Sequence, residues 1–148
     1  MLIRTLRFVA PVVLVLALAI SAGCTGTQPS GANATSAYTD LPVEQFKQMV
    51  DQFQGQPGAA TILDVRTPTE FERERLRDAV NLDVSQGVFG DRVARFDRQK
   101  TYLVYCQSGT RSARAAQTMS ELGFTKVYTM RGGIAKWKDA GYPVVTGA

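Results

Sequence analysis

Residues 102–112, YLVYCQSGTRS, contain the transition from which the rest of the chain can be interpreted. The run at 102–105 is short, apolar and rich in aromatic and β-branched side chains, which is typical of a buried strand. It ends at Cys106, which opens a six-residue polar loop, and a helical pattern begins at Ser112. A buried strand that leads through a loop into a helix is the repeating unit of α/β proteins with parallel sheets.

Strand and helix patterns continue to alternate on both sides of this unit. Apolar side chains recur at helical spacing through 112–122, and Gly123 supplies a helix stop. Strands joined through helices predict an α/β fold whose mainly parallel sheet is covered by helices on both faces. Ligands of such sheets bind at the carboxyl ends of the strands, which is where Cys106 lies. Further helices are predicted at 43–53, 68–74, 90–96 and 134–140, and further strands at 61–65, 79–84 and 126–130.

The composition narrows the possible functions before any motif is considered. At 148 residues, with 45% apolar and 20% charged residues, the chain has the length and composition of a one-domain globular protein. It has no histidine and only two cysteines, Cys24 and Cys106. This excludes Ser-His-Asp and Cys-His catalysis, histidine-ligated metals, a disulfide framework and a four-ligand zinc site. We therefore expect neither a metal nor a cofactor.

Residues 1–23 have the layout of a secretory signal peptide. Arg4 and Arg7 precede an uncharged apolar run at 8–20, and small residues then lead to Cys24. As a helix this run would rise about 20 Å, less than the roughly 30 Å of a bilayer's hydrocarbon core, so cleavage is favoured over a permanent span. Removal of the two arginines lowers the formal charge from +4 to +2, which predicts no nucleic-acid partner.

The position of Cys24 resembles the lipidation site of bacterial lipoproteins, in which the cysteine thiol is lipidated and becomes the new N-terminus. Ser21 stands where that pattern usually has leucine. The alternatives are ordinary signal-peptidase cleavage, which gives a secreted protein, and an uncleaved anchor. All three place the domain outside the cytoplasm. Residues 24–37 contain no large apolar side chain after the cysteine, so they predict a flexible tether of roughly 20 Å between the membrane lipid and a domain at 38–148.

The loop that begins at Cys106 has the features of an anion-binding cradle. Successive backbone N–H groups of such a loop can converge on one point, and the helix N-terminus adds about half a positive charge. Gly109 permits tight backbone curvature, and Arg111 contributes a permanent guanidinium. These features favour the thiolate of Cys106, the nucleophilic form, and remove the need for a histidine base. A buried structural cysteine and a plain anion-binding loop are the alternatives.

Three separated stretches together resemble the rhodanese family. They are LDVRTP at 63–68 with Glu70 and Phe71, the loop at 106–112, and Gly132-Gly133 with Trp137, Gly141, Pro143 and Val144. The resemblance spans nearly all of residues 60–145, and the ordered set is far more specific than any one stretch. It implies a rhodanese-like fold, in which helices lie on both faces of a five-stranded parallel sheet.

The resemblance also implies sulfur transfer. The thiolate of Cys106 would attack the outer sulfur of thiosulfate or a similar donor, form a persulfide, and pass that sulfur to cyanide or a thiol. Arg111 would be the second catalytic residue, because it would bind the donor's sulfonate and stabilise the anionic persulfide. Further substrate contacts are expected from the loop and from the D-V-R segment. The residues expected to make them are Gln107, Ser108, Gly109, Thr110, Ser112, Asp64 and Arg66.

Two parts of the pattern are open to more than one interpretation. Arg66 either contributes to the site or forms a structural salt bridge with Glu70. At 74–78 the family usually has a Gly-His-Ile-Pro-Gly turn, whereas this chain has ERLRD. Asp78 therefore replaces a glycine and is expected to strain or remodel the backbone. The two arginines of this segment either add positive potential or form only a solvated face.

Two other functions compete with an enzyme that transfers sulfur. A phosphatase or arsenate reductase of the cell-cycle phosphatase type also uses a cysteine and an arginine around an oxyanion. In the loops of those enzymes, however, five residues separate the cysteine from the arginine (C-x-x-x-x-x-R). Only four residues separate Cys106 from Arg111 in this chain. A non-catalytic module that relays sulfur or senses redox state would use the same two residues. The physiological donor and acceptor do not follow from the sequence.

Overall fold

Five strands and five helices alternate along residues 38–147, the part of the chain described by the computed structural model. The predicted signal peptide, Cys24 and the tether lie outside the described residues. Within residues 38–147, no helix has both the length and the apolarity needed to cross a lipid bilayer. The strands are β1 (Thr39–Leu41), β2 (Ala60–Asp64), β3 (Val80–Asn81), β4 (Thr101–Tyr105) and β5 (Val127–Met130). The helices are α1 (Val43–Phe53), α2 (Pro68–Arg73), α3 (Phe89–Val93), α4 (Thr110–Glu121) and α5 (Gly133–Asp139).

The strands form one parallel sheet in the order β1-β5-β4-β2-β3. The central strand, β4, pairs with β2 along its whole length and with β5 on its other side. The carboxyl ends of parallel strands meet at one edge of the sheet, so the residues that follow β2, β4 and β5 come together there. The predicted fold class, an α/β five-stranded parallel sheet with helices on both faces, is confirmed.

Successive side chains of β4 pack alternately into two cores, one on each face of the sheet. Val104 belongs to the core that α3 and α4 cover, whereas Leu103 and Tyr105 belong to the core that α1 and α5 cover. Cys106 continues this alternation and lies in the first core. Its side chain therefore lies on the α4 side of the sheet, opposite α5.

Four elements differ from the expectation drawn from the sequence. α3 ends at Val93 rather than at the predicted residue 96. β1 was not predicted from the sequence. Two of its three residues are exposed, and backbone pairing with β5, rather than an apolar pattern, holds the strand in place. β3 has two residues instead of the six predicted at 79–84. α4 begins at Thr110, two residues before the predicted start, because Gly109 caps it with a φ of 104°. The last loop residues therefore lie in the first turn of α4, where backbone N–H groups have no intrahelical acceptor.

The segment 74–78, which lacks the family's usual turn, is tied to the core beneath it. The guanidinium of Arg66 donates to the carbonyl of Glu74 at 2.6 Å. The backbone N–H of Leu76 donates to the hydroxyl of Tyr105 at 3.1 Å, and the Leu76 side chain is buried. Side chains from two neighbouring strand ends thus hold a connection that the local sequence does not specify.

The same segment is also paired with the end of the domain. Arg75 and Val145 form an isolated antiparallel bridge in which each N–H donates to the other's carbonyl at 2.8 Å. Asp78 has a φ of 61°, the left-handed region that residues with a Cβ rarely adopt. The expected backbone strain at this position is confirmed, and it is the one such non-glycine residue between 38 and 147.

Candidate functional site

Cys106 directly follows the central strand, and its side chain is fully buried. The backbone N–H of Gly109 donates to the Cys106 Sγ at 3.1 Å. The thiol donates to the hydroxyl of Ser112 at 3.6 Å, and that hydroxyl donates to the carbonyl of Gly109 at 2.9 Å. The sulfur therefore lies in a closed ring of hydrogen bonds between the loop and the first turn of α4.

The carbonyls of the loop are bound on the opposite side, by α5. The N–H groups of Ile134 and Ala135 donate to the carbonyls of Cys106 and Gln107, at 2.9 and 3.2 Å. In a trans peptide the C=O and the following N–H point in opposite directions. These bonds therefore turn the N–H groups of Gln107 and Ser108 away from α5, toward the side on which the sulfur lies.

The backbone N–H groups around the sulfur are mostly unpaired. Apart from the Gly109 N–H, none of those between Cys106 and Ala113 has an acceptor among the described residues. They belong to Gln107, Ser108, Thr110, Arg111 and Ser112. Several free N–H dipoles at the start of a helix form a cradle for a single negative charge. These N–H groups are thus available to an anion, and the predicted cradle around Cys106 stays a prediction.

Arg111 is bound to Glu70 by a two-pronged ion pair. Its two terminal nitrogens donate to Oε2 and Oε1 of Glu70, each at 2.7 Å. The hydrogen bond from Arg111, reinforced by bonds from Thr67, lowers the pKa of Glu70 to about 2, although partial burial opposes the shift. The same pair raises the pKa of Arg111. A guanidinium has five N–H donors, so those outside this pair are available for a second anion.

Glu70 is held in position by a capping box at the start of α2. Its backbone N–H donates to the Thr67 Oγ1 at 3.3 Å, and its carboxylate accepts from the Thr67 N–H and hydroxyl at 3.0 Å. Its role as the partner of Arg111 was not predicted from the sequence. The signal that could have indicated it is the T-x-x-E spacing at 67–70, which marks a carboxylate fixed at a helix start.

Asp64 and Arg66 form a buried ion pair below the site. Their side chains are 0% and 1% exposed, and the Nη2 of Arg66 donates to the Oδ2 of Asp64 at 2.6 Å. Burial lowers the pKa of Arg66, but the hydrogen bond and charge of Asp64 outweigh it, so the pKa is raised. The prediction that Arg66 forms a structural ion pair is therefore confirmed, but its predicted partner, Glu70, is wrong. Asp64, two residues away in an extended segment, reaches the guanidinium more directly.

The predicted site residues thus fall into two groups, the residues of the loop and the buried pair below it. Of the loop residues, Gly109 and Ser112 hydrogen-bond the Cys106 sulfur, and Arg111 reaches across to α2. Asp64 and Arg66 are nearby but fully buried in contact with each other. The roles of all these residues toward a substrate stay predictions. Cys24 lies outside the described residues.

A cleft of about 370 Å³ opens beside the loop. Gln107, the residue after Cys106, contributes to its wall. A second cavity, of about 420 Å³, lies at the amino end of β2 and contains none of the predicted site residues. Between residues 38 and 147, no group of three or more Cys, Asp and Glu side chains could hold a metal ion. The residues lining the first cleft are Arg66, Glu70, Arg73, Glu74, Gln107 and Lys138.

Comparison with known proteins gives consistent matches. The family model for the rhodanese-like domain matches residues 42–140. The uncharacterized protein YqhL of Bacillus subtilis is 37% identical over 87 residues, 59% of this chain and 68% of YqhL. The thiosulfate sulfurtransferase GlpE of Actinobacillus pleuropneumoniae is 28% identical over 113 residues, 76% of this chain and 97% of GlpE. The crystal structure of a rhodanese-related protein from Thermoplasma volcanium has a TM-score of 0.62 and 30% identity, covering 73% of this chain and 98% of that one.

The Glu70–Arg111 pair predicts a pH-dependent contribution to stability. Glu70→Gln keeps an acceptor for the capping box but removes the charge, so the free energy of unfolding should fall by about 1 kcal/mol near neutral pH. A carboxylate whose pKa is lowered on folding stabilises the protein above its unfolded pKa. Because the pKa falls from 4.5 to about 2, the difference between wild type and variant should be complete above 4.5 and vanish toward 2.

Urea unfolding of the two proteins across this range measures the difference. Glu72→Gln, at an exposed position on the same helix, is the matched control and should leave stability unchanged at every pH. A gap between wild type and Glu70→Gln that stays constant down to pH 2 would contradict the assignment of the pair.

Alanine substitutions at two glycines, Gly133 and Gly141, test the importance of the contact between α5 and the loop. A Cβ at Gly133 would lie 2.4 Å from the Cys106 carbonyl oxygen, whereas a Cβ at Gly141 would meet nothing within 4 Å. Both have positive φ, at 60° and 74°, so alanine is strained at either position. Only at Gly133 does it also displace the loop, so Gly133→Ala should cost about 2 kcal/mol more than Gly141→Ala. Equal losses in thermal unfolding would show that the close approach is unimportant.

Proposed function

Because the chain belongs to the rhodanese-like domain family, we propose that it is an enzyme that transfers sulfane sulfur from thiosulfate, or a related donor, to a thiol or cyanide. One observation carries the proposal. The Sγ of Cys106 accepts a hydrogen bond from the Gly109 N–H at 3.1 Å, inside a loop whose other N–H groups lack acceptors among the described residues. A negatively charged sulfur is the group that such a set of dipoles stabilises best.

In the first half-reaction, the thiolate of Cys106 attacks the outer sulfur of thiosulfate. A bond forms between Sγ and that sulfur, the S–S bond of thiosulfate breaks, and its electron pair leaves with sulfite. The product is a persulfide with one negative charge on its outer sulfur, so charge and electrons balance without an oxidant. The free loop N–H groups stabilise that charge. Arg111, with donors to spare beyond Glu70, binds the departing sulfonate oxygens.

The burial of Cys106 restricts how a donor reaches it. Since the sulfur is fully covered, the donor requires a local movement of the side chains around the loop. Gln107 lies directly after the nucleophile and also lines the cleft of about 370 Å³. We propose this cleft as the entry route, because Gln107 is the loop residue that lines it. From there the donor has to pass around the loop, since the sulfur lies on the side away from α5.

The second half-reaction needs an acceptor from outside the domain. Cys106 is the one cysteine among the described residues, and the chain has only one other, Cys24. With Cys24 assigned to lipid attachment, no thiol of the mature chain can attack the persulfide. The sulfur therefore leaves to a small thiol or to cyanide, which regenerates the Cys106 thiolate.

We further propose that residues 1–23 are a cleaved signal peptide and that Cys24 anchors the domain outside the cytoplasm through lipid. Residues 24–37 would then be the tether. The described chain starts at Tyr38, just before β1, and so enters at the amino edge of the sheet. Cys106 lies at the opposite, carboxyl edge. The point at which the proposed tether would join the described domain is therefore at the edge opposite Cys106.

Thiosulfate:cyanide turnover and intact mass together test the chemistry. The wild-type protein is expected to gain the mass of one sulfur atom with thiosulfate and to release thiocyanate when cyanide is added. Cys106→Ser retains a hydrogen-bonding side chain of similar size but not the thiolate, so both signals should fall to background. Arg92→Gln, an exposed residue on α3, should behave as wild type.

The possible outcomes separate the two functions considered. Sulfur gain with thiocyanate release supports the enzyme. Sulfur gain without thiocyanate release would replace the enzyme with a module that relays sulfur. Absence of both signals in a folded protein would overturn the proposal.

The anchor is tested by the mass of the protein purified from bacterial membranes. Processing before Cys24 should remove residues 1–23 and add lipid to the new N-terminus. Cys24→Ala should abolish the lipid, whereas the neighbouring change Thr25→Ala should not. A wild-type protein that is cleaved elsewhere, or that carries no lipid, would contradict the assignment.

A further inference from the structure

The charges that surround the cleft beside the Cys106 loop cancel in pairs, with one exception. The pairs are Arg66 with Asp64, Arg111 with Glu70 and Lys138 with Glu74. The exception is Arg73, which lines the cleft but has an exposed side chain with no hydrogen-bond or ion-pair partner among the described residues. The cleft therefore carries one uncompensated positive charge.

The position of Arg73 relative to the loop follows from α2. The capping box fixes the start of this helix at Thr67, and Glu70 is the residue that binds Arg111. Arg73 comes three residues after Glu70, so the two side chains share one face of the helix. Because that face carries Arg111's partner, it is directed toward the sulfur-binding loop. Arg73 thus lies on the same side of α2 as the reacting group but one turn farther out.

The size of the cleft indicates which substrate this charge serves. A volume of about 370 Å³ is at the lower end of the range of sites for organic ligands. Thiosulfate has only five non-hydrogen atoms and fills a fraction of it. The remaining space fits a larger organic molecule, which in a two-step transfer is the acceptor.

We propose that Arg73 selects an acceptor thiol that carries a carboxylate or a similar anionic group, an inference that rests on the sulfur transfer proposed above. The planar guanidinium matches the two oxygens of a carboxylate, and no acidic side chain between residues 38 and 147 is paired with it. A neutral thiol gains nothing from this residue. Charge on the acceptor, rather than its thiol alone, then determines how well it binds.

The transfer itself is a simple displacement. The acceptor's thiolate attacks the outer sulfur of the Cys106 persulfide, and a new S–S bond forms. The bond between that sulfur and Sγ breaks, and its electron pair returns to Sγ. The acceptor leaves as a persulfide and Cys106 as a thiolate. Arg73 contacts only the remote anionic group, so it changes the affinity for the acceptor and not the rate at saturation.

The test isolates this second step in the purified full-length chain with Cys24→Ala in every variant, so that no second thiol competes for the sulfur. Cys106 is first loaded with sulfur from thiosulfate, the excess donor is removed, and loss of the added sulfur is followed by intact mass. The two acceptors are N-acetylcysteine and its amide, which differ only in a carboxylate or a carboxamide. Arg73→Gln should raise the half-saturating concentration of N-acetylcysteine about five-fold and leave that of the amide within two-fold. Saturating rates should not change.

Two further variants sharpen the result. Arg73→Glu should raise the half-saturating concentration of N-acetylcysteine further, and added salt should reduce the effect because the contact is exposed. Arg92→Gln removes an exposed arginine away from the cleft and should change neither acceptor. Equal effects on both acceptors, or the same effect from Arg92→Gln, would overturn the role of Arg73. Failure to load sulfur would instead refute the proposed function, so the two failures are distinguishable.

Discussion

Two backbone hydrogen bonds from the start of α5 hold the Cys106 loop in the shape on which the proposed sulfur transfer depends. Ile134 and Ala135 donate to the carbonyls of Cys106 and Gln107, and Gly133 approaches so closely that no side chain fits there. With these carbonyls bound on one side, the following N–H groups face the sulfur on the other. The dipoles are therefore oriented during folding, and little reorganisation remains when negative charge develops on the sulfur.

The side chains around this loop contribute surprisingly little net charge to it. Asp64 neutralises Arg66 in the buried layer, and Glu70 neutralises Arg111 above it. The groups proposed to stabilise a negatively charged sulfur are thus mainly the peptide dipoles of the loop and of the start of α4. The buried pair has a second task, because Arg66 also binds the carbonyl of Glu74 and so fixes a connection that lacks the family's usual turn. A departure in local sequence is compensated by a contact from the neighbouring strand.

Features that depend on residues close together in the sequence could be predicted from it. Features that depend on contacts between residues far apart in the chain could not. The strand, loop and helix around Cys106 are encoded by adjacent residues, and they were predicted within two positions. β1 was not, because its pairing with β5 joins residues about ninety positions apart and needs no apolar pattern. The same holds for the Glu70–Arg111 pair, which joins residues 41 positions apart. Hydrophobic periodicity indicates which face is buried, but not which charged side chain will meet another.

The compactness of the loop also bears on the choice between sulfur and phosphate chemistry. Only Gln107 and Ser108 separate Cys106 from Gly109, the residue whose N–H contacts the sulfur and which caps α4. Ser112, in the first turn of that helix, reaches to 3.6 Å from the same sulfur. A persulfide adds one atom to this space, whereas a phosphoryl group adds a phosphorus and its oxygens. The loop already closes over Sγ, so it has to expand far less to hold a persulfide than to hold a phosphoryl group. Its geometry therefore favours transfer of a single sulfur atom.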